Sequence, residues 1–286
     1  MKKIAVIGGG PAGMMAAIAA SGAENDVFLI EKNPLPGKKL LVTGNGRCNL
    51  TNANLELARY HGDKWFVETV LKRYGSRNLI IFFDELGVRL KTDNSGRVWP
   101  STGQASTILD ALLDELRSRK IKVCCNETVN SIRQKKQFEI RTNVSTHTAD
   151  KVILTTGGCG YPQLGSSKDG YSLAVYFGHR LVEPRQAMVP VELAGNWFHK
   201  LQGVKFDAEI SVKYKDELFK YRGELLFAKY GISGTATLDA SRKILDYHKK
   251  PDTVISINFL PDFSQVSLGL YLDRIWKRLP QRTLAE

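Results

Sequence analysis

Three glycines constrain this chain more than anything else in it. The stretch IAVIGGGPAGMMAAIAASG, Ile4 to Gly22, sets Gly8, Gly10 and Gly13 in G-x-G-x-x-G spacing between an apolar run and a small-residue helix pattern. Gly8 permits a tight turn, Gly10 lets the backbone come close to a pyrophosphate, and Gly13 lets the helix pack on the strand. Pro11 and Ala12 suit the first helical turn, where free N–H groups and a partial positive charge face an incoming phosphate. Residues 3–32 therefore predict strand, turn, helix, strand, with VFLI (Val27 to Ile30) as the second strand. Glu31 ends that strand, with Lys32 beside it. A carboxylate about 20 residues past the turn accepts hydrogen bonds from both ribose hydroxyls and repels a 2′-phosphate. NADP is disfavoured, which leaves NAD or FAD.

The next segment helps decide between them. GKKLLVTGNGRCNLTN, Gly37 to Asn52, is glycine-rich and basic where a simple dinucleotide domain starts its next helix. Gly37, Gly44 and Gly46 allow backbone to approach a flat ligand, and Lys38, Lys39 and Arg47 offer positive charge. Thr43, Asn45, Asn49 and Thr51 add neutral hydrogen-bonding groups. An extended flavin dinucleotide uses such a loop, whereas NAD has little need of it; the alternative is an ordered surface loop with ordinary turn chemistry. Further on, KVILTTGG (Lys151 to Gly158) reads as a buried parallel strand whose C-terminal end, at Thr156, Gly157 and Gly158, abuts the cofactor. The strand-rich stretch Val129 to Thr142 before it suits an antiparallel meander crossing between parallel strands.

Helix patterns cover roughly Lys64 to Leu86 and Ala105 to Arg119, the second with Ile108, Leu109, Leu112, Leu113 and Leu116 on one face. A further helix runs from Asp169, as its N-cap, to Gly178. From about Pro190 the pattern changes to AEISVKY, ELFKYRGELLF and TVISINFL, broken by one helix near Leu238 to Tyr247, and Ser264 to Leu279 turns helical. The expected fold class is α/β. A Rossmann-like FAD-binding domain, a parallel sheet with a β-meander crossover, occupies 1–189; a β-rich domain occupies 190–262; a helical segment occupies 263–286.

Composition narrows the function classes. The 286 residues are 43% hydrophobic, and no run approaches the ~18 apolar residues of a membrane-spanning helix. No leader fits ahead of the strand at Ile4, so a cytoplasmic protein without a membrane partner is expected. The four cysteines, Cys48, Cys124, Cys125 and Cys159, form no C-x-x-C pair; no metal site is expected, and the adjacent Cys124 and Cys125 read as core filling. The net charge of +12 attracts phosphates, acidic substrates or nucleic acid. Its lysines and arginines never form a block of five, which favours a solvated surface over a dedicated nucleic-acid face.

The motifs VIGGGPAGMMAA, GKKLLVTGNGRCNLTN, RVWPSTGQAS, TTGGCGYPQLGSSKDGYSLA and GELLFAKYGISGTATL together resemble the bacterial BaiN/YhiN-like flavoproteins, the aminoacetone-oxidase family of FAD-binding enzymes. The likeness runs over essentially the whole chain. It implies that Gly8, Gly10, Pro11, Ala12 and Gly13 hold the FAD pyrophosphate and Glu31 the adenosine ribose. It further implies that Lys39 through Thr43, Gly44, Asn45, Gly46, Arg47 and Cys48 line the flavin, that Val129 offers its backbone to the adenine, and that Asp169 touches FAD. The broader group includes fumarate reductase and aspartate oxidase flavoprotein subunits, whose FAD domain is interrupted by an inserted domain, here the β-rich one. Two departures stand out. Phe227-Ala228-Lys229 replaces the family's Phe-Thr-His, with Thr235 at a proline position, and a lysine of ordinary pKa is a poor base at neutral pH. The family's final glycine-rich FAD segment is not found between Leu260 and Glu286. A partial member is expected, with one wall of its flavin site missing.

No histidine lies between Glu31 and Asn54, so FAD is expected to be non-covalent. Cys48 is expected to pack as a small residue against the ring rather than to act in redox chemistry. The leading reading is an oxidoreductase passing a hydride between a small-molecule substrate, an amine among the candidates, and flavin, with oxygen or another acceptor; Arg47, Tyr161 and Lys229 are candidates for substrate contact. An RNA-modifying flavoprotein is the alternative, and a non-catalytic dinucleotide-binding fragment the third.

Overall fold

The computed structural model describes residues 1–281, which divide into two compact units, 1–181 and 182–281. The division falls between Leu181 and Val182. The sequence placed it between 189 and 190 and set the helical tail apart; by contacts the tail belongs to the second unit.

The first unit opens with β1 (Lys2–Ile7), α1 (Pro11–Ala20) and β2 (Asn25–Ile30). After a loop come β3 (Thr51–Asn52), α2 (Lys64–Arg73), α3 (Ser76–Glu85), β4 (Leu90–Thr92), β5 (Arg97–Pro100), α4 (Ala105–Ser118) and β6 (Lys122–Cys124). Then follow β7 (Val129–Gln134), β8 (Phe138–Thr142), β9 (Thr146–Ala149), β10 (Lys151–Leu154) and α5 (Asp169–Tyr176). The central sheet is parallel, in the order β10-β1-β2-β6, and the antiparallel meander β7-β8-β9 forms the crossover between β6 and β10.

Period-two alternation explains why this sheet is buried on both faces. Ile4, Val6, Val27 and Leu29 point to one side, into a core built with Met14, Ala17 and Ile18 of α1 and Ile108, Leu109, Leu112 and Leu116 of α4. Their neighbours Ala5, Ile7, Phe28 and Ile30 point to the other, onto Ile132, Ile140 and Ala149 of the meander and Leu173 of α5. The expected apolar face of α4 is the buried one, with Leu113 partly buried beside it. The expected helix 64–86 is two helices. Tyr74 and Gly75 leave helical geometry between α2 and α3, and the Gly75 N–H donates to Asn78 Oδ1 at 3.0 Å. The apolar period runs through the break and hides it; Gly75 is its signal.

The second unit is an antiparallel sheet ordered β11 (Val191–Glu192), β14 (Gly231–Ser233), β13 (Glu217–Ala228), β12 (Lys205–Tyr214), β15 (Val254–Asn258). Ala208, Ile210 and Val212 alternate along β12 onto Leu225, Phe227 and the face of α6 (Thr235–Tyr247). That helix starts before the expected Leu238. Thr237 and Ser241 disguise it, being fully buried while their hydroxyls donate to Ser233 O and Leu238 O. The last helix, α7 (Gln265–Arg278), begins at a Ser264 cap and has no buried residue.

Candidate functional site

At the C-terminal end of the parallel strands, the turn between β1 and α1 opens into a cleft of about 180 Å3. This is where an open α/β sheet binds ligands. Gly8 is strained for any other residue, with φ at 106° and Thr155 O only 2.6 Å from where a Cβ would stand. Gly13 is tighter still, since a Cβ there would lie 1.8 Å from Gly8 O. Gly10 differs: it is the N-cap of α1 at φ −73°, nothing lies within 4 Å of its Cβ position, and it lines the cleft. The three glycines thus divide into two that close the strand–helix packing and one that keeps space open for a ligand. Thr155 locks the turn, its hydroxyl donating to Ile7 O at 2.9 Å and lying 3.1 Å from Gly8 O.

Glu31 is 7% exposed and faces the same cleft. Its Oε2 accepts from the Gly9 N–H at 2.6 Å, and its Oε1 accepts from the Asn33 backbone at 2.8 Å and side-chain amide at 2.7 Å. The carboxylate is therefore aimed by protein donors before any ligand arrives, and about one of its roughly four acceptor sites is left for a ligand.

Positive charge lies on the opposite lip. Lys32 Nζ donates to Ser167 Oγ at 3.0 Å and stands 3.7 Å from Asp169, Lys38 reaches Gln163 O, and Lys39 bonds Gly160 O at 3.1 Å and Ser166 Oγ. These lysines tie the loop 157–168 beside the cleft. Gly157, Tyr161 and Gly165 give that loop its left-handed turns. Tyr161 does so as a non-glycine residue that is 63% exposed, a conformation that stores strain and clusters at functional sites. Asp169 is the first residue of α5, and Lys168 is the N-cap. The expectation of an Asp169 cap is corrected: its carboxylate accepts from Ser167 Oγ at 2.5 Å and pairs with Lys32 rather than capping backbone.

Of the residues singled out from sequence, Gly8, Gly10, Pro11, Ala12, Glu31, Lys32, Lys39, Val129, Thr156, Gly157 and Asp169 line one cleft. Gly13 sits behind it. The run Thr43 to Cys48 folds into its own tight turns, with Gly44, Asn45, Gly46 and Cys48 all at positive φ. Trp99 supports that run, since a Cβ on Gly44 would meet its ring at 2.7 Å and the Arg47 guanidinium stacks 4.7 Å from its centroid. Trp99 is in turn held by Asp93 Oδ2, which accepts from Nε1 at 3.0 Å. Cys48 is 1% exposed and belongs to the hydrophobic core. Burial pushes its thiol pKa up, against a smaller opposing pull from Thr43, so it lacks the electropositive setting of a reactive thiolate. Gly158 and Tyr161 are outside the lining residues, and Lys229 lies in the second unit, exposed at the end of β13. Sequence reasoning missed Asn33, Thr128, Thr155 and Ser167. Only their bonding partners across the fold give them a role.

A family model described as the HI0933-like protein Rossmann domain matches residues 2–256. The chain belongs to the HI0933-like Rossmann family. Within it, the chain is 37% identical over 284 residues to a 3-dehydro-bile acid delta(4,6)-reductase of Clostridium scindens, covering 96% of this chain and 69% of that protein. It is 30% identical over 281 residues to a ribosomal RNA dihydrouridine synthase of Escherichia coli, covering 98% and 68%. Among solved structures, the open conformation of a flavocytochrome c3 fumarate reductase is similar at a TM-score of 0.47 and 20% identity, over 72% of this chain and 47% of that one. No described helix is long and apolar enough to cross a membrane.

Proposed function

We propose that this HI0933-like chain holds FAD non-covalently in the cleft above β1 and β2 and works as a cytoplasmic FAD-dependent oxidoreductase on a small organic substrate. One observation carries the proposal: the buried, pre-aimed Glu31 carboxylate and the open helix terminus at Gly10 share a single cleft. Glu31 accepts from a ribose hydroxyl at its remaining site, the N-terminus of α1 takes the pyrophosphate, and the backbone at Thr128 and Val129 borders the adenine end. Lys32 and Lys39 neutralise phosphate charge. When bound, FAD supplies the ring that takes or gives a hydride. In this reading the turns from Thr43 to Cys48 offer backbone to that ring, and Arg47 and Tyr161, both outside the residues lining the cleft, are candidates for substrate contact.

The name of the Clostridium scindens relative makes a 3-dehydro-bile acid the first substrate to test, with an amine second. FAD-loaded protein is photoreduced without oxygen and mixed with each compound. Return of the oxidised flavin spectrum with the acid, or bleaching of oxidised protein by the amine, supports the reading. Flavin that neither compound oxidises or reduces faster than buffer removes both substrates.

A second reading, an RNA-modifying flavoprotein, is favoured by the net charge of +12 and by the Escherichia coli relative. Contact with several phosphates makes log K fall with log salt at a slope of about −0.7 per contact on single strands. Binding to a ribosomal RNA fragment with such a slope supports it; absent or salt-insensitive binding sinks it.

A further inference from the structure

Beside the cleft, whose lining includes Glu127, the fold gathers a sulfur, an oxygen and a nitrogen ligand at one point. Cys124 ends β6, Glu127 follows a turn, and His147 comes from β9, and one ligand atom from each lies within 4.8 Å of the others. Asn126, at φ 58°, makes the turn that brings Cys124 and Glu127 to the same side. His147 Nε2 stands 2.7 Å from Glu127 Oε2. Two hydroxyls complete the surroundings. Thr142 Oγ1 donates to Glu127 Oε2 at 3.1 Å, and Ser145 Oγ lies 2.9 Å from His147 Nε2. The His147 ring leans on Phe28 with centroids 5.3 Å apart. The Cys124 residue is 8% exposed, and the Glu127 and His147 side chains are 13% and 17% exposed, so the group is screened yet reachable.

We propose that Cys124, Glu127 and His147 form a binding site for one divalent transition-metal ion, with zinc the best match to the donor set. Thiolate, imidazole and carboxylate are zinc's three protein ligand types, at about 2.3, 2.0–2.1 and 2.0–2.2 Å, and a hard ion such as magnesium would not select sulfur. Tetrahedral angles at those lengths put ligand atoms about 3.3–3.8 Å apart, so the group must close by about 1 Å at its widest and open slightly between His147 and Glu127. Three protein ligands leave a fourth position for water. The Thr142 and Ser145 hydroxyls then act as supporting partners of the kind that orient metal ligands. Binding is balanced as Cys124–SH plus M2+ giving Cys124–S–M plus one proton released to buffer.

The site's place gives it a consequence. The Glu31 N–H donates to Cys124 O at 2.8 Å, and Glu31 O accepts from the Glu127 N–H at 3.0 Å. The two ligands thus bracket the backbone of the ribose carboxylate, and a bound ion clamps the turn that holds it. The metal proposal itself rests on Cys124, Glu127 and His147 alone and stands whatever dinucleotide fills the cleft.

The test uses the untagged 286-residue chain, stripped with chelator and gel-filtered, then titrated with Co2+ and afterwards with Zn2+. Expected are one ion per chain, a thiolate-to-cobalt charge-transfer band in the near ultraviolet, about one proton released per ion, and loss of the band when zinc displaces cobalt. Cys124→Ser removes the band, and His147→Ala weakens binding at least about tenfold. Both variants should melt like the metal-free wild type; His147→Gln serves if His147→Ala does not fold. A wild type with no thiolate band overturns the proposal, as do Cys124→Ser and His147→Ala proteins that bind cobalt as the wild type does.

Discussion

Exchanging Gly10 or Gly13 for alanine separates folding from ligand binding within four residues. At Gly13 the added methyl would stand 1.8 Å from Gly8 O and 2.8 Å from Thr155 Oγ1. The first obstacle is backbone, so α1 must slide off the strand. Overpacking of this kind costs about 1–3 kcal/mol, and because the first obstacle is backbone the upper end applies. At about 2–4 °C per kcal/mol for a unit of this size, Gly13→Ala should lower Tm by roughly 6–12 °C. Gly10 has negative φ and empty space, so Gly10→Ala should hold Tm or raise it slightly, an alanine there restricting the unfolded chain by about 0.4–1 kcal/mol. The same methyl points where the pyrophosphate approaches, and a loss of about 1.4–2.8 kcal/mol weakens FAD binding about 10-fold to 100-fold. Differential scanning calorimetry and FAD titration on the two variants read these effects. A Gly10→Ala protein that binds FAD as the wild type does, or a Gly13→Ala protein of unchanged Tm, would refute the division of labour.

Other perturbations follow from named contacts. Glu31→Gln turns an N–H2 group toward either the Gly9 N–H or the Asn33 donors, so it should cost about 1–3 kcal/mol in urea unfolding as well as FAD affinity. Asp93 is held at about 2, below its usual 3.8, first by the Ser95 hydroxyl and then by Trp99 Nε1 and backbone N–H groups. A carboxylate whose folded pKa is depressed stabilises the fold above its unfolded pKa and loses that contribution as pH falls through the folded one. The urea midpoint of the wild type should therefore drop more steeply than that of Asp93→Asn between pH 4 and pH 2, and parallel curves would exclude the effect. Tyr161→Gly removes an exposed aromatic but also a left-handed non-glycine residue at φ 63°. Its Tm should stay within about 2–4 °C of wild type, while turnover with any substrate that contacts Tyr161 falls.

The parts of this fold legible in the sequence are those fixed by local pattern. The apolar run Ile4 to Ile7 announced a strand, the apolar face of α4 announced its packing, and the glycine spacing with Glu31 announced the cleft. The meander between Val129 and Thr142 was also readable, although its third strand, β9, was not. What stayed hidden depends on long-range partners. Thr155 looks like any strand-end threonine until its hydroxyl is seen against Ile7 and Gly8, and Asn33 looks like a turn residue until its carbonyl is seen accepting from the Asn126 N–H. Cys48 illustrates the opposite limit. A small residue packed inside a ligand loop was expected there, and the sequence does not reveal that it sits at a left-handed φ of 58° with its side chain in the hydrophobic core. Cys124 was read as core filling, and Glu127, three residues on, makes no ligand signature with it until His147 joins them; only the crossover between β6 and β10 brings β9 beside the end of β6.

Equilibrium titration of the purified chain with FAD, followed by the flavin's visible absorption and by calorimetry, tests the central proposal most directly. The predicted result is saturable binding of one FAD per chain, weakened by Glu31→Gln and Gly10→Ala, with NADP failing to compete. A chain that takes up no FAD, or one that binds NADP as well as FAD, would contradict it.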